Sequence, residues 1–148
     1  MASGFSNFQI ECLNAHNDRR AAHGSSPLTL NGDLCRYAQE WANHLAAKGQ
    51  MFHRTNSPYG ENIYFSYGMT VTGKTAVDSW YSEIKSHVFH REPASLAAGH
   101  FTQVVWTGSR QLGVGVATVS GKTFVVANYD PPGNFIGKFA QSVPPLKL

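Results

Sequence analysis

Several polar residues that could do acid–base or metal chemistry lie in aromatic and glycine-rich stretches of the sequence. The candidates are His16, His53, Glu61, Asn62, Glu83, His100 and Asn128. Neutral imidazole nitrogens bind Zn²⁺, carboxylates orient imidazole rings, and both groups can act as general acids and bases. The sequence lacks the GxSxG, HExxH, P-loop and GxGxxG signatures of common enzyme and nucleotide-binding classes. Any chemistry therefore depends on how the fold arranges these residues.

The elements that must position these residues follow from the spacing of apolar side chains. The pattern predicts three helices: one over residues 6–23, one from an N-cap at Asn31 to a stop at Gly49, and one over Thr75–Ser86. Between the second and third helices it predicts an irregular segment over residues 50–73 with one short strand at Glu61–Phe65. After a loop over residues 91–99 it predicts strands over Leu112–Val119 and Thr123–Tyr129, joined at Ser120-Gly121. The apolar spacing of His100–Trp106 fits a helix or a strand equally. Helices followed by a final hairpin indicate an α+β fold with a sheet covered by helices.

Length and composition indicate one domain that spans residues 1–148. Apolar residues make up 42% of the sequence and aromatic residues 12%, which excludes intrinsic disorder. No apolar run approaches the length needed to cross a bilayer, and the first residues lack the apolar stretch of a secretory signal.

The net charge of +3 arises from 12 basic and 9 acidic side chains. The whole excess falls in residues 93–148, where Arg110, Lys122, Lys138 and Lys147 outnumber Asp130. Scattered cations without an aromatic platform are a weak signal for nucleic acid, so no nucleic-acid partner is predicted. Two alternatives stay open for this charge, a basic face that meets anionic lipid and a simple solvated surface.

Cys12 and Cys35 are the two cysteines, and they form neither a CxxC motif nor a cluster with metal-like spacing. We expect both to be free thiols on apolar faces of separate helices, and we expect a reducing, intracellular compartment.

Five segments resemble a known family. These are His16-Asn17-Asp18-Arg19-Arg20, Gly60-Glu61-Asn62-Ile63-Tyr64, Trp80-Tyr81-Ser82-Glu83, the run Gly99 to Trp106 (GHFTQVVW), and the run Asn128 to Gly137 (NYDPPGNFIG). Together and in this order they are similar to the CAP superfamily of cysteine-rich secretory proteins, antigen 5 and pathogenesis-related 1 proteins. The resemblance covers nearly the whole domain.

The departures from the family pattern point to one branch. Secreted members usually have a cysteine before the Asn-Tyr dipeptide, where this chain has Ala127. The chain is therefore most similar to the intracellular Golgi-associated plant pathogenesis-related proteins, which implies a cytoplasmic or peripheral Golgi location; secretion by a route without a signal peptide is the alternative. Members of that branch can be myristoylated on a glycine after the initiator methionine, but this chain has Ala2, so lipid anchoring is not carried over.

The resemblance implies a three-layer α-β-α sandwich with a central, mostly antiparallel sheet. It also implies that four residues, called the tetrad below, converge in a cleft: His53, Glu61, Glu83 and His100. His53 and His100 would bind a divalent metal such as Zn²⁺, and the two glutamates would orient the rings. The alternatives are acid–base chemistry by the same four groups and a purely structural polar cluster.

Other polar and aromatic residues are given structural roles. His16, Asn17 and Arg20 are expected to brace neighbouring loops, and Asn128 and Asn134 to fix turns. Trp41 and Trp80 are expected in the core. The remaining histidines, His23, His44, His87 and His90, are expected on the surface.

The leading functional hypothesis is a non-enzymatic CAP protein that binds lipid or an anionic membrane surface, and protein partners as well, with a cleft that holds a divalent metal. The rival hypothesis is a zinc-assisted or acid–base hydrolase, similar to a protease, that uses the same cleft. The third is a self-associating scaffold, because the resemblance implies homodimers.

Overall fold

The computed structural model describes residues 4–147 of the chain. In chain order the elements are α1 (Asn7–Ala22), β1 (Thr29–Leu30), α2 (Gly32–Lys48), β2 (Gly60–Tyr67), α3 (Gly73–Tyr81) followed by a 3₁₀ helix (Ser82–Ser86), α4 (Gly99–Val105), β3 (Gln111–Val119), β4 (Lys122–Asp130) and α5 (Phe139–Ser142). The prediction about myristoylation concerns Ala2, which lies outside the described residues.

Side chains adjacent to the first two helices fix where those helices begin. At α1, Ser6 Oγ accepts the main-chain N–H of Gln9, and the Gln9 side chain accepts the N–H of Ser6. At α2, Asn31 Oδ1 accepts the N–H of Leu34 at 2.9 Å, as the sequence predicts. The same helix ends at Gly49 in the left-handed conformation with φ of 68°.

The sheet has the strand order β1-β3-β4-β2. β3 pairs with β4 and β4 with β2 in antiparallel orientation, whereas the two-residue β1 is parallel to β3. The predicted mostly antiparallel sheet is therefore confirmed. β2, which carries Glu61, is an edge strand, so the side chains at its start can border a cleft.

Helices cover both faces of this sheet. Val125, Ala127 and Tyr129 of β4 pack into a core shared with α1, α3 and α4. The alternate residues Phe124 and Val126 pack with α2 on the opposite face. This alternation confirms the predicted three-layer α-β-α sandwich.

Two glycines of β3 let α2 lie directly on the sheet. A Cβ added at Gly115 would lie 2.5 Å from Cα of Gln39, and one at Gly113 would overlap the backbone of Leu34. The Gln39 side chain then bonds the β3 backbone at Val116 through both its amide nitrogen and its oxygen. Side chains at either glycine would push the helix off the strand.

Some predicted boundaries differ from the structure. The third helix is α-helical only to Tyr81 and continues as a 3₁₀ helix. The ambiguous run His100–Trp106 is helical in α4, and the predicted strand at Glu61–Phe65 extends over the whole of β2. The C-terminal tail contains the short α5, where Glu92 accepts the N–H groups of Phe139 and Ala140.

Several single-residue predictions are wrong. His23 is buried instead of lying on the surface, because its ring bonds the Pro144 carbonyl and the Tyr81 hydroxyl. His87 is half-buried, and Trp41 is only half-buried instead of being in the core. Asn128 lies inside β4 instead of fixing a turn, and its amide donates to Gly60 O.

Other predictions are confirmed. His44 and His90 are exposed, and Trp80 is in the core. Asn17 braces the following loop by two hydrogen bonds to the backbone of Leu28. Asn134 occupies a left-handed turn position with φ of 61°.

Cys12 and Cys35 are free and buried, as predicted, and lie on α1 and α2. Burial raises the pKa of both thiols. Among residues 4–147, none of the helices combines the length and apolar character needed to cross a bilayer.

The C-terminal cations do not form one basic face. Lys122 lies at the β3–β4 turn, whereas Arg110 precedes β3 at the opposite end of the hairpin. Lys147 packs beside Gly24 after α1. The charge excess of the sequence is therefore divided among different parts of the surface.

Candidate His/Glu cleft

Glu83 holds His100 and the start of α4 through three hydrogen bonds. Glu83 Oε2 accepts a hydrogen bond from His100 Nδ1 at 2.8 Å. Glu83 Oε1 accepts the main-chain N–H groups of His100 at 2.9 Å and Phe101 at 3.2 Å. The carboxylate thus satisfies free N–H groups at the start of α4 and fixes the imidazole in the same contact. The ring of Trp80 stacks parallel to that of His100, with centroids 6.4 Å apart.

Glu61 holds His53 in a similar pair at the other side of the cleft. Glu61 Oε1 accepts from His53 Nδ1 at 2.6 Å and from the main-chain N–H of Arg54 at 3.2 Å. The glutamate side chain is 7% exposed and the imidazole 69% exposed, so a buried carboxylate anchors an exposed ring. The hydrogen bond to Glu61 raises the pKa of His53, although partial burial opposes the change.

The two pairs meet at one cleft of about 130 Å³. It is lined by His53, Glu61, Asn62, Leu96, Gly99, His100 and Asn134. Glu83 reaches this cleft through its bond to His100. The structure therefore brings together the four residues that the resemblance implies.

A chain of buried side chains supports the cleft from below. The Asn62 amide donates to His100 O and to the Tyr129 hydroxyl, each at 3.1 Å. The Tyr129 hydroxyl lies 2.6 Å from Nε2 of His16, and Nδ1 of His16 lies 2.8 Å from Cys12 O. A carbonyl only accepts, so Nδ1 of His16 carries the proton and Tyr129 donates to Nε2.

Burial keeps this chain uncharged. Desolvation lowers the pKa of His16 to about 4 and raises the pKa of Tyr129. His16 and Asn62 are thus positioning residues that join α1 and β2 to the backbone of His100.

Sequence reasoning missed part of the opposite wall. Asn134 donates to Gly99 O at 2.9 Å and accepts from the Thr102 hydroxyl at 2.6 Å, which ties the C-terminal loop to α4. Leu96 lines the cleft and also a neighbouring groove of about 290 Å³. The position of Asn134 within the NYDPPGNFIG run was a usable signal, but no sequence pattern singles out Leu96.

The donors of the cleft fit a metal bound by two imidazoles. Each ring uses Nδ1 for a carboxylate, which leaves Nε2 for a ligand, the arrangement common to metal-bound histidines. Residues 4–147 contain no group of three or more histidine, cysteine, aspartate or glutamate side chains placed to share a metal ion. A structural zinc site uses four protein ligands and a catalytic one commonly three, so water or another ligand would complete the coordination here.

A second cysteine–histidine pair lies outside the cleft. Cys12 Sγ is 3.8 Å from Nδ1 of His16, but both residues have 0% exposure. Burial also raises the pKa of Cys12, so the thiolate needed for nucleophilic attack is disfavoured.

A family comparison covers most of the residues that build this cleft. The sequence model of the CAP family, the cysteine-rich secretory protein family, matches residues 13–129, a span that includes the whole tetrad. The chain belongs to the CAP family. This membership confirms the resemblance that the five sequence segments indicate.

Individual CAP relatives agree with the predicted branch. The chain is 42% identical over 147 residues to Golgi-associated plant pathogenesis-related protein 1 of Homo sapiens, with 95% of this chain and 94% of the relative covered. It is 39% identical over 142 residues to Protein PRY2 of Saccharomyces cerevisiae, with 94% of this chain covered. This chain spans only 42% of the length of the yeast protein.

Solved CAP structures share the fold at lower identity. The crystal structure of NaASP2 with Zn²⁺ has a TM-score of 0.75 at 22% identity, with 99% of this chain and 90% of that one covered. Schistosoma mansoni venom allergen-like protein 4 has a TM-score of 0.73 at 20% identity, with 97% of both chains covered. At such identities these likenesses show the α-β-α sandwich alone.

Proposed function

We propose that this CAP protein is a non-enzymatic module that binds lipid or an anionic membrane surface and holds a divalent metal ion, such as Zn²⁺, in the His/Glu cleft. The observation that carries the metal part is the pairing of each imidazole with a carboxylate through Nδ1. This pairing fixes the ring orientation and directs Nε2 to an added ligand. His53 and His100 would be the protein ligands.

The donor set favours binding over hydrolysis. A catalytic zinc centre with two histidines also needs a third protein ligand in the common arrangements, and no such group occurs among residues 4–147. The described hydrogen bonds of His53 and His100 side chains are to carboxylates, not to a serine, threonine or cysteine nucleophile.

The membrane part rests on the positive net charge of +3 and on the similarity to a Golgi-associated relative. Cations near an anionic surface each add about 1 kcal/mol of attraction. We propose a cytoplasmic location or a peripheral Golgi location, with secretion by a route without a signal peptide as the alternative. Imaging of the tagged full chain tests the location.

Zinc titration by calorimetry tests the metal site. We expect His53→Ala and His100→Ala to weaken zinc binding strongly, and Glu83→Gln to weaken it less, through lost ring orientation. The exposed His90 supplies a control, His90→Asn, which should bind zinc like the wild type. Unchanged zinc binding in the double variant His53→Ala/His100→Ala would place the metal elsewhere.

The pH dependence of zinc affinity gives a second measurement on the same variants. Protons compete with Zn²⁺ for imidazole, and Glu61 raises the pKa of His53, which strengthens that competition. We expect appreciable affinity above neutral pH and a decline below about pH 6.

A turnover screen separates the proposal from its rival. The purified protein is incubated with peptide and ester substrates, with and without zinc. Turnover that requires both zinc and His100 would favour the hydrolase hypothesis and contradict the proposed non-enzymatic role. Flotation of the protein with phosphatidylcholine vesicles, with and without phosphatidylserine, tests the membrane part.

Protein partners are also proposed. The resemblance implies a homodimer, and sedimentation of the pure protein at several concentrations tests it. No nucleic-acid partner is proposed.

A further inference from the structure

Large apolar side chains are exposed at one end of the sheet and in the segment after α2. Together we call them the apolar end: Met51, Phe52, Phe65, Tyr67, Met69 and Val119, which are between 39% and 67% exposed. They come from the segment after α2, the end of β2 and the residues that follow it, and the end of β3. Contiguous exposed apolar surface is unusual on a soluble domain and commonly marks a contact site.

Strand register makes part of this group continuous. Tyr67 and Val119 both pair with Lys122, and two residues farther along the strands, on the same sheet face, Phe65 pairs with Phe124. The Phe65 and Phe124 rings lie 5.0 Å apart, and Gly68 N donates to Gly121 O at 2.9 Å. These contacts hold the end of β2 against the hairpin turn.

The last rung lies on the sheet face that α2 covers elsewhere. Phe124 packs with α2, and Lys122 is two residues earlier on the same face. The helix ends at Lys48, and a Cβ added at Gly49 would lie 3.5 Å from Lys122 Nζ. Tyr67 and Val119 are therefore exposed because the helix stops before it covers their rung.

The chain segments that form the apolar end carry charged side chains of one sign. Residues 44–52, 65–72 and 116–124 contain Lys48 and Lys122 and no carboxylate. Elsewhere, the exposed apolar side chains Leu96 and Ile136 line a groove together with Glu92, a solvent-exposed carboxylate. An anionic surface would therefore meet lysines without a carboxylate on the first segments, but would meet a carboxylate in the second region.

We infer that the apolar end docks the protein on an anionic lipid bilayer, with Tyr67 and Val119 entering the interface and Lys48 and Lys122 contacting lipid phosphates. This inference rests on the membrane part of the proposed function and assigns it to one face. Aromatic side chains with a polar tip suit the boundary between headgroups and acyl chains. The two lysines supply electrostatic attraction to anionic lipid, and the apolar side chains beside them insert shallowly into the bilayer.

Vesicle binding by matched variants tests the assignment. The probes are phosphatidylcholine vesicles with and without phosphatidylserine, and binding is measured by flotation of the full chain. Lys48→Glu/Lys122→Glu is compared with Lys85→Glu/Lys138→Glu, which changes the net charge equally at exposed sites away from the apolar end. Tyr67→Thr/Val119→Thr is compared with Val88→Thr/Ile136→Thr, which removes exposed apolar side chains near Glu92.

We expect Lys48→Glu/Lys122→Glu to lower affinity for phosphatidylserine vesicles at least about tenfold, and the control charge variant to lower it much less. Tyr67→Thr/Val119→Thr should leave less binding at high salt, where apolar insertion dominates, and its control should bind like the wild type. Thermal unfolding of each variant shows whether it is folded.

Equal losses in the two charge variants would indicate a net-charge effect and overturn the assignment. Binding at the wild-type level by both double variants, Tyr67→Thr/Val119→Thr and Lys48→Glu/Lys122→Glu, would also overturn the assignment of this face. That result would leave the proposed function intact. Wild-type protein that floats with neither kind of vesicle would contradict the membrane part of the proposed function itself.

Discussion

Nε2 of His16 lies 2.6 Å from the hydroxyl oxygen of Tyr129, which joins α1 to the central strand β4 in the interior. Both residues have 0% exposure, so the hydrogen bond forms away from water. The same hydroxyl accepts the amide of Asn62, which also holds the backbone of His100. The stability of this interior pair is therefore linked to the geometry of the cleft.

The first prediction concerns acid stability. Burial lowers the pKa of His16 from 6.5 to about 4. Between these pH values the unfolded chain binds a proton at this ring that the folded chain does not, so the free energy of unfolding falls as pH drops through the window. We expect a loss of about 3 kcal/mol from this group, measured by urea denaturation at several pH values.

The variant His16→Gln provides the control for that measurement. It will be less stable at every pH, but its free energy of unfolding should depend less on pH between 6.5 and 4. His23, whose pKa is also lowered by burial, should leave a residual dependence of the same sign. Equal pH dependence in the wild type and the variant would contradict the assigned role of His16.

Arg20 is the second test of the interior. Its guanidinium donates to the carbonyl oxygens of Ser26, Val104, Trp106 and Ser109 at 2.7 to 3.0 Å. A lysine cannot reproduce this fork, so Arg20→Lys should lower the free energy of unfolding by about 3 kcal/mol or more. Chemical denaturation measures it; the exposed control Arg91→Lys should change stability by less than about 0.5 kcal/mol. Similar losses of stability in the two variants would show that the hydrogen bonds of the buried guanidinium add little to the free energy of unfolding.

The third prediction concerns the contact between α2 and β3. In Gly115→Ala the new Cβ would meet the α2 backbone at Gln39, at 2.5 Å, so helix and strand must separate. We expect a loss of about 2 kcal/mol or more in the free energy of unfolding. Gly108→Ala is the matched control, because its added Cβ would have 3.7 Å to its nearest neighbour. An unaltered melting temperature in Gly115→Ala would mean that α2 can shift without cost.

The fourth prediction isolates the carboxylate partner of His53. Because a hydrogen bond to Glu61 is the main cause of the raised pKa of His53, Glu61→Gln should lower that pKa toward its ordinary value. Titration of the metal-free protein, followed by NMR signals of the imidazole, measures the change. Glu83→Gln, which alters the partner of His100, should leave the His53 titration unchanged. A His53 pKa that does not respond to Glu61→Gln would show that another group sets it.

Local signals in the sequence determined much of the architecture. Asn31 and Gly49 mark the ends of α2 because an amide side chain caps N–H groups and a glycine adopts the left-handed conformation. Ser120-Gly121 marks the hairpin because both residues take positive φ. The five segments in order also identified the family and, through it, the residues of the tetrad.

Other features depended on contacts between distant parts of the chain. Phe101–Val105 is buried throughout in α4, so no amphipathic period separated helix from strand. β1 has two residues, Thr29–Leu30, and exists only as the parallel partner of β3.

Burial of polar residues was decided in the same way. The ring of His23 forms hydrogen bonds with Tyr81 and Pro144, which lie far along the chain. Burial of a neutral ring costs little when both nitrogens are hydrogen-bonded, but the neighbouring residues in the sequence do not reveal these partners. The residue type of Asn128 favours a turn, but the tertiary structure puts it in β4 opposite Glu61. The sequence thus determined which groups are present at the cleft. Only the packing of β2 against β4 and α4 decided the distances between these groups, because the groups lie on elements that no local interaction connects.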